Sequence, residues 1–194
     1  MIREDLLKYK SKNLLVRICV NNFLRQVVFL IKGLDIKNIL DIGCGSGFVI
    51  QRILQTFDSS IHIDGVDNDQ QSLDAARKLN PSASFFLSDI YNLQINNSYD
   101  LVMCLEVLEH LTDYHRALKE IKRVTRRYCL ISVPHEPYFR LGEFLRGKHL
   151  KRFGDPPGHL HHWSRKGFYL LIKKYFKIKE FKTSFPWQIA LCEI

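Results

Sequence analysis

Apolar positions recur along the chain with two periods, and the switches between them mark the elements. Within residues 6–34, Leu14, Leu15, Ile18, Phe23, Val27, Leu30 and Ile31 fall mostly three and four apart with Arg17, Arg25 and Lys32 between them, which predicts one or two amphipathic helices. Short apolar runs follow at 38–42, 61–66, 84–87, 99–104 and 128–133. Helical stretches over 48–57 and 70–79 come after the first two runs, the latter stopped by Pro81, and another over 114–124 separates the last two. Strands alternating with helices predict βαβ units, right-handed crossovers and a parallel sheet covered on both faces.

The pattern changes after Pro134. Residues 134–164 hold four of the six prolines, at 134, 137, 156 and 157, and read as a long loop with one short helix near 140–146. A loop of that length is usually functional. A helix over 165–175 and two strands, 177–183 and 187–192, joined through Ser184-Phe185-Pro186, close the chain. The expected organisation is a single domain over 1–194: a helical lid at 1–34, a core at 35–133, a substrate-side loop at 134–164, and the last helix and strand pair at 165–194.

A length of 194 residues suits one domain, and 46% hydrophobic with 25% charged residues excludes a disordered or fibrous chain. The most apolar stretch, 27–31, is bracketed by Arg25 and Lys32, so no run is read as crossing a bilayer. The N-terminal residues lack the pattern of a secretory signal, and the five cysteines contain no C-x-x-C pair, which predicts reduced thiols in a cytoplasmic protein. The net charge of +9 is unevenly spread: residues 1–40 carry eight basic and three acidic side chains, 41–115 three and eleven, and 116–194 eighteen and six. An acidic centre suits a cation or hydroxyl groups; the basic flanks suit an anionic surface or are solvated helix faces.

The centre holds the decisive motif, Ile39-Leu40-Asp41-Ile42-Gly43-Cys44-Gly45-Ser46-Gly47. Glycines after the first strand let backbone approach a ligand as the next helix begins. The dinucleotide pattern G-x-G-x-x-G fails because position 48 is Phe, and the Lys of a phosphate-binding P-loop is absent. Asp67, ending the second strand, suits ribose hydroxyls, and Asp89 after Ser88 suits an exocyclic amine. A positively charged nucleoside without phosphates, such as S-adenosylmethionine, fits this set.

With these motifs the chain resembles the class I S-adenosylmethionine-dependent methyltransferases, and within them the type 11 group that includes ubiquinone and menaquinone biosynthesis enzymes. The matching pieces are 40–47, Gly65-Val66-Asp67, Ser88-Asp89-Ile90 and Tyr99 through His110, covering 38–133 in the family's order and spacing. The resemblance implies an α/β Rossmann-like three-layer sandwich whose seven-stranded, mostly parallel sheet has the order 3-2-1-4-5-7-6 with strand 7 antiparallel. It implies S-adenosylmethionine as cofactor, with Asp41, Gly43, Cys44, Gly45 and Gly47 at the methionyl part and Asp67 with Asn68 at the ribose. Ser88, Asp89 and Ile90 would meet the adenine, and Cys104 and Leu105 would lie beside the methionine moiety.

Methyl transfer is an in-line displacement, so the protein must align the acceptor and remove its proton. His110, following the fourth strand, is the candidate base, with Glu106, Glu109, His135 and His159 on the substrate side. Glu106, Glu109, His110 and His159, the last four residues before Trp163-Ser164-Arg165, also resemble the metal site of small-RNA 2′-O-methyltransferases. That is the minor reading, and no metal site is assigned. The expected acceptor is a small or lipid-like molecule methylated at oxygen, with peripheral membrane contact through the basic, apolar segments; nucleic acid is the less favoured acceptor. A metal-assisted RNA methyltransferase and a non-catalytic binding member are the alternatives.

Overall fold

The structure, a computed structural model, describes residues 9, 11–57, 61–96 and 98–194; the start of the expected amphipathic stretch, including Leu6, lies outside them. Helix α1 (Leu14–Ile31) starts at Asn13, whose side-chain oxygen accepts from the amides of Leu15 and Val16 and so caps the first turn. Then come β1 (Asn38–Ile42), α2 (Phe48–Leu54), β2 (His62–Asp67), α3 (Gln70–Leu79), β3 (Ser84–Leu87), β4 (Tyr99–Leu105), α4 (Tyr114–Val124) and β5 (Thr125–Pro134). The chain ends with α5 (Tyr138–Leu145), α6 (Arg165–Lys173), β6 (Lys177–Ser184) and β7 (Trp187–Glu193). Single 3-10 turns lie at Ile90–Asn92, Leu108–His110 and Leu150–Arg152.

The seven strands form one sheet in the expected order, β3-β2-β1-β4-β5-β7-β6. β7 runs antiparallel to β5 and β6, and the other neighbouring pairs between β1 and β5 are parallel. Side chains alternate across the sheet. Leu101, Met103 and Leu105 of β4 join the core against α1, α2 and α3, while Val102 and Cys104 join the opposite core with α4 and α6. Both faces are covered, which is why the strands read as continuous apolar runs. α2 stops at Leu54, short of the expected 57, where the Thr56 hydroxyl donates to the Arg52 carbonyl and draws the chain into a turn.

One expectation about residues 1–34 changes. α1 spans 18 residues with a mean hydropathy of 1.6, so by length and composition it is long and apolar enough to cross a membrane, contrary to the sequence reading. In the fold one face of it packs into the core, with Val16, Val20, Phe23, Leu24, Val27, Leu30 and Ile31 buried. Phe23 packs on Trp187 with ring centroids 5.1 Å apart, and the Asn22 amide donates to the Ser184 hydroxyl. Its outer side, including Leu14, Leu15, Ile18 and Phe29, is exposed. Part of the acidic centre is likewise structural. The Asp100 carboxylate accepts from the amides of Lys37 and Asn38 and pairs with Arg126, and Asp64 accepts from the Tyr99 hydroxyl.

Candidate active site

The C-terminal ends of β1, β2 and β4 open onto a cavity of about 720 Å³. Its floor is the glycine loop. Gly43, Gly45 and Gly47 have φ of 74°, 52° and 78°, the left-handed region that glycine enters without strain. The amides of Gly43 and Cys44 donate to the Val66 carbonyl at 2.8 and 3.0 Å, tying the loop to β2. A Cβ at Gly43 would collide with the Val107 side chain. Gly47 begins α2 and does not itself line the cavity.

Asp67 is the hinge of this arrangement. One carboxylate oxygen accepts from the Gly45 amide at 2.8 Å and the other from the Asp69 amide at 3.0 Å. Each oxygen retains acceptor capacity, so the group can brace the loop and still take a ligand hydroxyl. Asn68 and Ser88 flank it on the wall, with Ile90 presenting an apolar edge. Asp41, 2% exposed, lies one strand away, and burial first and the charge of Asp67 second push its carboxyl up to about 7.

Not every expected residue reaches the cavity. Asp89 is exposed, and its side chain accepts from the Tyr91 amide, capping the 3-10 turn instead of lining the wall. Cys104 is buried behind the wall, where desolvation raises its thiol well above the usual range; its neighbour Leu105 supplies the surface. His135 faces the Tyr138 ring at 5.0 Å outside the cavity, and burial and Arg165 hold its pKa below the usual histidine value.

Glu106, Glu109, His110 and His159 do come together on the cavity wall. Glu106 sits at φ 61°, uncommon for a non-glycine residue, and its carboxylate accepts from the Ser132 hydroxyl at 3.1 Å. His110 Nδ1 lies 2.8 Å from the Gly158 carbonyl oxygen, and its ring meets His159 edge to face at 5.0 Å. The Glu109 carbonyl accepts from the amides of Leu160 and His161, docking the substrate-side loop onto this turn. Donor atoms of Glu109, His110 and His159 lie within 4.8 Å of one another.

Sequence reasoning missed Tyr9 and Phe48. Tyr9 stacks on Phe48 with centroids 4.7 Å apart, and both line the cavity with Phe139 of α5. Among the described residues, Tyr9 brings the expected lid at 1–34 to the cavity, and Phe139 with His159 brings the substrate-side loop at 134–164.

The wall thus carries four carboxylates, Asp41, Asp67, Glu106 and Glu109, and among the described residues no Lys or Arg. A phosphate-bearing ligand would be repelled; a cationic nucleoside is favoured. Residues 39–127 match the family described as a methyltransferase domain. Over these residues the chain is a class I S-adenosylmethionine-dependent methyltransferase domain. The ubiquinone biosynthesis O-methyltransferase of Aeromonas salmonicida (strain A449) is 27% identical over 138 residues, covering 66% of this chain and 57% of that protein. Matches to the first four curated relatives span only 30% to 57% of their lengths.

Among solved structures, magnesium protoporphyrin IX methyltransferase from Synechocystis PCC 6803 with bound S-adenosylhomocysteine superposes with a TM-score of 0.69 at 17% identity, covering 97% of this chain and 96% of that one. The methyltransferase domain of bacterial CtHen1 gives 0.67 at 23% identity over 91% of this chain and 100% of that one. These likenesses establish the fold.

The family cofactor is S-adenosylmethionine, and the residues present fit it. The volume lies in the range of small-molecule sites, roughly 300–1,000 Å³. The open glycine loop, the Asp67 carboxylate and the absence of cationic lining residues match a nucleoside with a sulfonium.

Proposed function

We propose that this methyltransferase moves the methyl group of S-adenosylmethionine to an oxygen of a small or lipid-like acceptor, with His110 as general base. Asp67 and Asn68 would hold the ribose, Ser88 and Ile90 the adenine, and Asp41 with the glycine loop the methionyl part. When bound, the cofactor supplies a methyl group already activated on a good leaving group. The protein's remaining task is to orient the acceptor and take its proton.

The observation that carries this reading is the His110–Gly158 contact. A carbonyl can only accept, so Nδ1 carries the proton and Nε2 keeps the lone pair a base needs. Tyr9, Phe48 and Phe139 give the cavity an apolar rim that suits a ring or acyl portion of the acceptor. The basic charge of the flanking segments supports an anionic or membrane-associated acceptor.

The grouping of Glu109, His110 and His159 supports a second reading, in which a divalent ion there holds vicinal hydroxyls of an acceptor. The experiment separating them is transfer of labelled methyl into candidate acceptors by His110→Ala and Glu109→Gln. In the base mechanism His110→Ala loses transfer, Glu109→Gln keeps it, and neither depends on added manganese. In the metal mechanism both variants lose transfer together with manganese binding, and manganese rescues the wild type after chelation.

A further inference from the structure

A second cluster of donors lies behind His159, on the side away from His110. Glu136, two residues beyond β5, is 8% exposed. One carboxylate oxygen accepts from the Arg140 amide at 3.4 Å; the other, Oε1, has no hydrogen bond among the described residues. Oε1 stands 3.6 Å from His162 Nδ1. On the far side of that imidazole, Nε2 lies 3.4 Å from Asp155 Oδ1, also without a hydrogen bond, while Asp155 Oδ2 accepts from Arg152. Donor atoms of Glu136, His159 and His162 lie within 4.8 Å of one another.

A buried carboxylate oxygen without a hydrogen bond is costly, so its retention suits a ligand. Metal–ligand bonds of about 2.0–2.1 Å put neighbouring ligands of a tetrahedral ion roughly 3.3 Å apart. The 3.6 Å between Glu136 Oε1 and His162 Nδ1 is close to that spacing. The Asp155 position adds the arrangement typical of such centres, in which a ligating imidazole gives its other N–H to a carboxylate that sets the tautomer. A proton on His162 Nε2, directed at Asp155, leaves Nδ1 with its lone pair on the Glu136 side.

We propose that Glu136, His159 and His162 bind a divalent transition-metal ion, zinc by donor chemistry, with Asp155 as the outer carboxylate on His162. Two imidazoles and one carboxylate suit zinc and leave a position for water. The ion would close the segment between Glu136 and His159 into a loop anchored on the end of β5. That segment needs an anchor: α5 has no buried residue, and Leu141, Leu145, Leu150 and Phe153 are exposed. His159 also lines the cofactor cavity beside His110, so the ion would fix the wall of the acceptor site. The set through Glu109 and His110 shares His159 with this one, so the two would draw on the same imidazole.

The test is zinc titration of the full chain by calorimetry, with cobalt absorption as the spectroscopic check. The account expects one tightly bound zinc, lost by more than about 100-fold in His162→Ala and Glu136→Gln and weakened about 10- to 100-fold in Asp155→Asn, as for outer-shell carboxylates. Glu109→Gln should bind zinc as the wild type does. His162 is exposed, so its variant keeps the test valid if Glu136→Gln does not fold. Retained S-adenosylhomocysteine binding shows that a variant is folded, and it makes this result independent of the proposed transfer. Absence of stoichiometric zinc binding by the wild type would overturn the proposal, as would binding that survives His162→Ala and Glu136→Gln but fails in Glu109→Gln.

Discussion

His110 Nδ1 and the Gly158 carbonyl oxygen, 2.8 Å apart, join the turn after β4 to a loop 48 residues further along the chain. The contact holds the imidazole on the cavity wall in one tautomer. Replacing His110 with Ala should lower kcat by about 10²–10⁴, the range for a general base. S-adenosylhomocysteine affinity should change only a few-fold, because the cofactor residues proposed here lie on β1, β2 and the loop after β3. Steady-state kinetics and calorimetry on the same preparation check both halves.

Asp41 should make cofactor binding depend on pH. Its folded pKa, pushed up to about 7, lies above the ordinary carboxylate value of 3.8. The stabilising effect of the protonated form is therefore present below about pH 4 and is lost as pH rises through 7. A sulfonium favours the ionised carboxylate. The affinity for S-adenosylmethionine relative to neutral S-adenosylhomocysteine should thus rise between pH 6 and pH 8, and Asp41→Asn should flatten the ratio. Parallel titrations of the two ligands read this directly.

The glycine loop yields a stability prediction. Gly43→Ala places a Cβ against Val107 at a φ of 74°, a steric and a backbone penalty together. A loss of about 1–3 kcal/mol, with Tm falling roughly 2–4 °C per kcal/mol, is expected for a chain of this size. Val107→Ala added to it should restore only part of that loss, since the φ penalty remains. Thermal melts of the three variants test the division.

The sheet order and the Asp41–Gly47 loop were legible because both depend on short-range signals: alternation along strands and glycines between a strand and a helix. Asp67 was legible because it ends a strand. Asp89 follows the same rule, yet its carboxylate caps the Ile90–Asn92 turn, a local hydrogen bond that competes with any ligand. The packing of α1 on the sheet is not legible in its periodicity alone, because the contact of Phe23 with Trp187 spans most of the chain. The positive φ of Glu106 and the meeting of Glu136 with His162 also arise only when distant segments close on one another.

The central claim, that the cavity above β1, β2 and β4 is a cofactor site braced by Asp67, is tested most directly by calorimetric titration of S-adenosylhomocysteine into the wild type and Asp67→Ala. The account predicts saturable 1:1 binding by the wild type. Loss of the charge-assisted hydrogen bonds should weaken it by about 1.5–3 kcal/mol in the variant, roughly 10- to 150-fold. No saturable binding by the wild type, or equal affinity in Asp67→Ala, would contradict it.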